Sequence, residues 1–373
     1  MTPSSRAPIL LSANSSWNLL NFRAPIIREF LERGYRVAVA VPSDNGAESL
    51  AQLGVEQHHV PIDARGLSPF RDAALLISYL RLMRRLRPSA FLGFTVKPNL
   101  YGSIAAARLG IPVINTITGL GTAFLSGPVL RTITVNLYRH ALQKSQTVFF
   151  HNSDDRDLFV SDNLVSPAQA RIVAGSGVDL EHFSPAETTK IGKTPTFLFV
   201  GRLLREKGAK EFLEAASIVL ETKSAKFLML GSMEDRLEGV GKSELRSFVS
   251  SGTVELLGET SDVRPFMEAA DCIVLPSYRE GLPRVLLEAA AMAKPVIATN
   301  VPGCRQAVGD GRTGLLCEPR SGLSLANAMT AFLNMPLQDR FSMGLRARER
   351  AELEFSQEKV VDAYLEAIRV IHD

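Results

Sequence analysis

Residues 196–208, TFLFVGRLLREKG, set the reading of the fold. Thr196–Gly201 is apolar, with aromatic and β-branched side chains, which predicts a buried strand. A short basic loop follows, and Ala209–Glu221 has the apolar spacing of a helix. A buried strand that runs through a loop into a helix is the unit of a parallel α/β sheet. Gly201 lets the backbone approach a ligand at the strand's carboxyl end. There Arg202 offers a planar fork for two phosphate oxygens, and Lys207 offers a point charge. Taken alone, the loop fits a diphosphate site and a solvated basic turn equally well.

The alternation extends both ways. Downstream, strands are expected at Lys226–Gly231, Val254–Leu257, Cys272–Pro276 and Pro295–Thr299, with helices between them and a closing helix at Gln357–His372. Upstream, strands are expected at Ala7–Ser12, Tyr35–Val41, Val55–Pro61, Ala90–Phe94, Pro112–Thr116, Thr147–Phe150 and Ala170–Ala174. Helices fall at Asn21–Arg33, Pro69–Leu86, Asn99–Arg108 and Val129–Lys144. Strands separated by helices pair in parallel through right-handed crossovers. A polar stretch near 180–195 interrupts the pattern. A chain of 373 residues that is 46% hydrophobic can fill two cores. Two doubly wound α/β halves follow. Ligands bind such sheets at the carboxyl ends of the strands, and the cleft between two such domains is the expected site.

A second constellation is Leu275–Ala289, LPSYREGLPRVLLEA. A strand ends in a loop, and a helix opens near Pro283, whose missing N–H costs nothing in a first helical turn. First-turn amides attract phosphate. Glu280 precedes this helix. Glu288 lies inside it among Val285, Leu286, Leu287 and Ala289, where a carboxylate needs partners that ribose hydroxyls could supply. An ordinary surface helix with one exposed acid fits as well. A third stretch, Gly175-Ser176-Gly177-Val178-Asp179, reads by itself as a turn.

Composition removes several classes. The cysteines, Cys272, Cys304 and Cys317, form no CxxC and have no paired histidines, so neither a disulfide framework nor a zinc site is expected. The N-terminus has no secretory pattern. The longest uncharged stretch, Leu109–Leu130, holds four glycines and two prolines, too many breakers for a spanning helix. Asp155-Arg156-Asp157 looks like a metal-binding DxD, but its context suits a helix start. Residues 60–144 carry eleven Lys or Arg against Asp63 and Asp72, a local charge of +9 within a chain of +3. Such a field favours an anionic partner. Aromatic interleaving is sparse there, which argues against nucleic acid.

Four elements together resemble the retaining glycosyltransferases of family 4, in order: GSGVD at 175–179, VGRLLREKG at 200–208, EGLPRVLLEAAAMAKPVIAT at 280–299 and GRTGLLCEP at 311–319. The resemblance covers essentially the whole chain. It implies the GT-B fold, two Rossmann-like domains facing across a cleft. An acceptor domain would span 1–182, a nucleotide-sugar domain 183–355, and a helix at 356–373 would return to the first domain. It implies donor binding by Gly201, Arg202, Lys207, Glu280, Gly281, Leu282, Arg284 and Glu288. Of these, Arg202 and Lys207 would hold the diphosphate, Glu288 the ribose, and Glu280 would lie by the donor sugar. Arg202, Lys207 and Glu280 are the expected catalytic residues. The donor would be a UDP-sugar, with no cofactor and no metal.

The N-terminal half is similar to a narrower group that extends polyprenyl-diphosphate-linked oligosaccharides. The matching pieces are FRAPIIREFLERGYRVAVAVP at 22–42, TVKPNLYGSIAA at 95–106, INTITGLG at 114–121 and HNSDDRDLF at 151–159. This implies a polyprenyl-linked acceptor, acceptor contacts from Asn14, Ser15, Ser16, Lys97, Thr118 and Gly119, and a place at the inner face of the cytoplasmic membrane. Relatives often carry a His where Thr116-Ile117-Thr118-Gly119 stands, and Thr118 is the expected substitute. The apolar segment Gly119–Gly127 and the basic helix at 69–87 would face lipid. Competing readings are an isomerase like UDP-N-acetylglucosamine 2-epimerase, and a non-catalytic scaffold.

Overall fold

Two sheets, each entirely parallel, organise the chain. The computed structural model describes residues 7–64, 66, 68–120, 128–186, 194–233 and 242–372. The first unit comprises residues 1–176 and 358–373, the second 177–357.

In the first unit seven strands lie in the order β3-β2-β1-β4-β5-β6-β7. They are β1 (Ile9–Ser12), β2 (Val37–Val41), β3 (Glu56–His59), β4 (Ala90–Gly93), β5 (Val113–Ile117), β6 (Thr147–Phe150) and β7 (Ala170–Ile172). The four central ones, β1, β2, β4 and β5, are buried on both faces, which is why β1, β2 and β4 read as largely apolar runs, while β5, VINTI, carries the buried polar residues Asn115 and Thr116. Strand order reverses between β1 and β4, and the loops leaving those strands are tied by Asn14 N–H donating to Thr95 Oγ1 at 3.0 Å. The helix expected over Asn21–Arg33 is two helices, Ser16–Phe22 and Ala24–Glu32, broken at Arg23 where φ is −128°. The region expected as helix from Asn99 opens with a π-helical turn, Pro98–Gly102, before Ser103–Arg108.

The closing helix, Gln357–His372, belongs to this first unit. Val360, Tyr364, Ala367 and Ile368 enter the same core as Ile9, Leu11, Val39 and Leu92. Tyr364 packs on Phe149 with ring centroids 4.7 Å apart, and its hydroxyl meets Thr116 Oγ1 at 2.6 Å. A buried phenol needs such a partner.

In the second unit six strands follow the order β10-β9-β8-β11-β12-β13. They are β8 (Thr196–Val200), β9 (Lys226–Leu230), β10 (Glu255–Gly258), β11 (Cys272–Leu275), β12 (Val296–Thr299) and β13 (Gly314–Cys317). The edge strand β13 is too short and glycine-led to be read from periodicity. The second unit begins at Gly177, before the polar stretch. Val178 N–H bonds the Phe355 carbonyl at 2.9 Å, and Arg348 Nη1 donates to the carbonyls of Leu180 and Phe183. These bonds hold 177–183 to the second unit.

Candidate active site

In the second unit the strand order reverses between β8 and β11, and the basic loop leaves β8 at that point. Leu203 and Leu204 are buried and anchor it, and Leu203 N–H bonds the Ser232 carbonyl beyond β9 at 2.9 Å. A 3-10 turn, Arg205–Lys207, then presents its side chains before the helix Ala209–Leu220. Gly208 joins the two in the left-handed region at φ 75°, and a β-carbon there would collide with the carbonyl of Pro276 after β11. Tyr278 N–H bonds the Glu206 carbonyl at 2.9 Å. The loops after β8 and β11 are therefore fixed to each other through their backbones.

That contact brings Lys207 to Glu280. Nζ donates to Oε1 at 2.5 Å, with the side chains 24% and 12% exposed. Arg202 is open to solvent and lies 3.8 Å from Glu206, a surface pairing worth little. The peptide between Glu280 and Gly281 rests on Gly303, whose φ of 43° and lack of a side chain make room for those carbonyls. Thr299 Oγ1 donates to the Ser277 carbonyl and ties β12 to the same loop.

The following helix runs Arg284–Ala291. Pro283 is its N-cap in extended geometry, not its first helical residue. The first amides of a helix lack intrahelical acceptors, so this end keeps donors for an anion. Glu288 is 12% exposed and forms an ion pair with Arg284, its Oε1 2.8 Å from Nε. Burial holds its carboxyl above the ordinary range, with Arg284 opposing. The structure thus gathers Gly201, Arg202, Lys207, Glu280, Gly281, Leu282, Arg284 and Glu288 in one unit, on the loops and the helix after β8 and β11.

Tyr278 has a role that motif reading did not supply. Its hydroxyl donates to Glu211 Oε1 at 2.7 Å, and the Arg320 guanidinium lies 4.9 Å over its ring. Burial first, then Glu211, pushes the phenol up to about 12, so it stays a donor at neutral pH. Glu211 lies 67 residues away in sequence, so no local pattern reveals the pair.

In the first unit the expected acceptor residues divide. Ser15 caps the helix Ser16–Phe22, its Oγ accepting from Asn18 N–H at 3.2 Å. Ser16 is buried, and its N–H bonds Asp44 Oδ2 at 2.8 Å. Lys97, expected among the acceptor contacts, is buried against Asp72 Oδ1 at 2.5 Å, and Tyr101 donates its hydroxyl to the other carboxylate oxygen at 2.9 Å. A lysine so paired serves the packing of the helix Pro69–Leu86 first. Thr118 and Gly119 are half-buried just past β5. Most of the apolar segment Gly119–Gly127 lies outside the described residues. Asp155 is buried in the first turn of the helix Ser153–Ser161, where Asn152 caps its N–H at 2.8 Å.

Comparison with known proteins agrees with this architecture. Residues 8–152 match a model described as glycosyl transferase 4-like, and residues 194–335 one described as glycosyl transferases group 1. A D-inositol 3-phosphate glycosyltransferase from Geodermatophilus obscurus is 31% identical, over 92% of this chain and 82% of its own. The N,N'-diacetylbacillosaminyl-diphospho-undecaprenol alpha-1,3-N-acetylgalactosaminyltransferase of Campylobacter jejuni is 26% identical, over 85% and 86%. Among solved structures, Anabaena HepE in complex with UDP and glucose superposes with a TM-score of 0.79, at 17% identity over 98% of this chain and all of that one. Fold and matches together define an enzyme of the GT-B class, a glycosyltransferase. The chain belongs to the group 1 glycosyltransferases with a family 4-like N-terminal half.

Proposed function

We propose that the enzyme moves a hexose or N-acetylhexosamine from a UDP-sugar to a polyprenyl-diphosphate-linked saccharide in glycan assembly, with retention of configuration. The observation that carries this reading is the Lys207–Glu280 pair at the β8/β11 reversal, with Arg202 on the same loop and Glu288 one helix further on. The acceptor class is taken from the undecaprenol-linked substrate in the name of the C. jejuni relative, and the nucleotide from the UDP in HepE.

The chemistry asks little beyond fixed charge. Departure of UDP builds negative charge on the diphosphate, which Arg202, Lys207 and the amides at the start of the 284–291 helix stabilise. Glu280 stabilises the developing positive charge on the sugar, and its bond to Lys207 orients both groups. Glu288 takes the ribose hydroxyls. Metal and cofactor are not needed in this scheme. The acceptor engages the first unit, whose helix Pro69–Leu86 shows Phe70, Ile77, Arg81, Arg84 and Arg85 to solvent and faces anionic lipid at the inner membrane surface.

The test is transfer from a panel of UDP-, GDP- and ADP-sugars to short-chain polyprenyl diphosphate saccharides, with the anomer of the product read by NMR. One UDP-sugar giving an axial product supports the reading. Transfer from GDP- or ADP-sugars only, or an inverted product, overturns it.

A further inference from the structure

Arg23 is 2% exposed. Its Nε and Nη1 are fully enclosed without a hydrogen-bond acceptor, and among the described residues it makes no ion pair. Its guanidinium carbon lies 4.5 Å over the face of Phe94, and Tyr364 also offsets part of the cost of its burial. His151, 6% exposed, has an enclosed Nε2 that is also without a partner. Burial and the Arg23 charge hold this imidazole down at about 3, so it stays neutral and brings no counter-charge. An uncompensated buried guanidinium is among the costliest features a fold can keep. Hydrophobic packing would prefer methionine here.

The position of these groups says what would compensate them. Phe94 follows β4 and His151 follows β6, both at the carboxyl edge of the first sheet. Arg23 is the N-cap of the helix Ala24–Glu32, where no side chain caps the first turn and Pro25 offers no N–H. The reversal of strand order between β1 and β4 lies at the same edge, where α/β sheets take ligands. We propose that Arg23, with His151 beside it, is an anion site of the first unit that takes a phosphate of the acceptor. The assignment to the acceptor rests on the function proposed above, while the anion site does not. Both donors are sealed in this structure, so a phosphate oxygen takes Nε–H and Nη1–H as a charge-assisted fork only once the side chains over them move aside. Lys97, already held by Asp72, leaves this task to Arg23.

The experiment uses the full chain with UDP saturating the donor site. Binding of inorganic pyrophosphate and of a water-soluble short-chain prenyl diphosphate saccharide is measured by calorimetry for wild type, Arg23→Met and Arg23→Lys, and thermal unfolding is recorded without ligand. The expected result is prenyl diphosphate binding weakened at least tenfold in Arg23→Met and less in Arg23→Lys, with the unliganded Met variant as stable as wild type or more so. Pyrophosphate binding that depends on Arg23, without prenyl diphosphate binding, keeps the anion site and overturns its assignment to the acceptor. Unchanged binding in both variants overturns the site. So does a Met variant that unfolds while Arg23→Lys binds as wild type does. If wild type transfers no sugar to any polyprenyl diphosphate yet takes up pyrophosphate through Arg23, the proposed function fails and the anion site stands.

Discussion

Lys207 and Glu280, 73 residues apart in sequence, are joined by a 2.5 Å hydrogen-bonded ion pair. Each side chain is the other's positioning group. Removing one leaves the other partly buried and unanswered, at a cost of about 1–3 kcal/mol in stability. Lys207→Ala and Glu280→Gln should each lower kcat by roughly 100-fold or more, in line with the loss of one preorganised charge. The double variant should lose much less than the product of the two, because the pair acts as a unit. A strictly multiplicative double-mutant cycle for kcat/KM would show that the residues act independently.

Glu288 predicts a pH effect of defined sign. Its carboxyl is raised above the ordinary 4.5 by burial. A carboxyl that holds its proton more tightly when folded stabilises the fold below its unfolded value. It loses that contribution as pH rises through the native one. Glu288→Gln removes the dependence. Relative to wild type, the variant should gain stability at about pH 7.5 and gain none at about pH 4. Its affinity for UDP should fall roughly tenfold with the lost ribose acceptor. Urea unfolding at the two pH values checks the first part. Parallel profiles for the two proteins would contradict it.

Two glycines hold the site together. Gly208→Ala places a methyl against the Pro276 carbonyl at φ 75°, and Gly303→Ala places one against the carbonyls of Glu280 and Gly281 at φ 43°. Each should cost about 1–3 kcal/mol through strain alone. Each should also lower kcat, since the displaced loops carry Lys207 and Glu280. Thermal unfolding and turnover measured together test this. A variant of normal stability and full activity would mean the loops are not locked to each other as described.

The surface of the helix Pro69–Leu86 predicts salt-dependent lipid binding. Phe70 is 88% exposed, and Arg81, Arg84 and Arg85 follow on the same face. Each well-placed arginine contributes roughly 1 kcal/mol at an anionic bilayer. Neutralising Arg81, Arg84 and Arg85 should abolish flotation with vesicles rich in anionic lipid and leave unfolding unchanged. Flotation unaffected by these changes would remove the electrostatic part of the account.

Local pattern carried much of the fold and only part of the site. Runs such as Tyr35–Val41 and Thr147–Phe150 announce buried strands because both faces are covered. The helix Pro69–Leu86 is bounded by Pro69 and by Arg87, which adopts the left-handed conformation. The break at Arg23 was hidden because the apolar spacing of Asn21–Arg33 continues across it. The partners of Lys97, Ser16, Tyr278 and Lys207 lie between 25 and 73 residues away. Such pairings depend on which loops the sheet order brings together. A motif names the residue types at a site, but not which of them are already engaged.

The most direct test is thermal unfolding against UDP-, GDP- and ADP-sugars and the free nucleotides, for wild type and Lys207→Ala. A ligand at 100 times its dissociation constant stabilises by about 2.7 kcal/mol, or roughly 5–10 °C for a unit of this size. The account predicts a shift of that order with UDP and one UDP-sugar, lost in Lys207→Ala. A shift with no nucleotide, or one that survives in Lys207→Ala, would contradict a UDP-sugar site built on the Lys207–Glu280 pair.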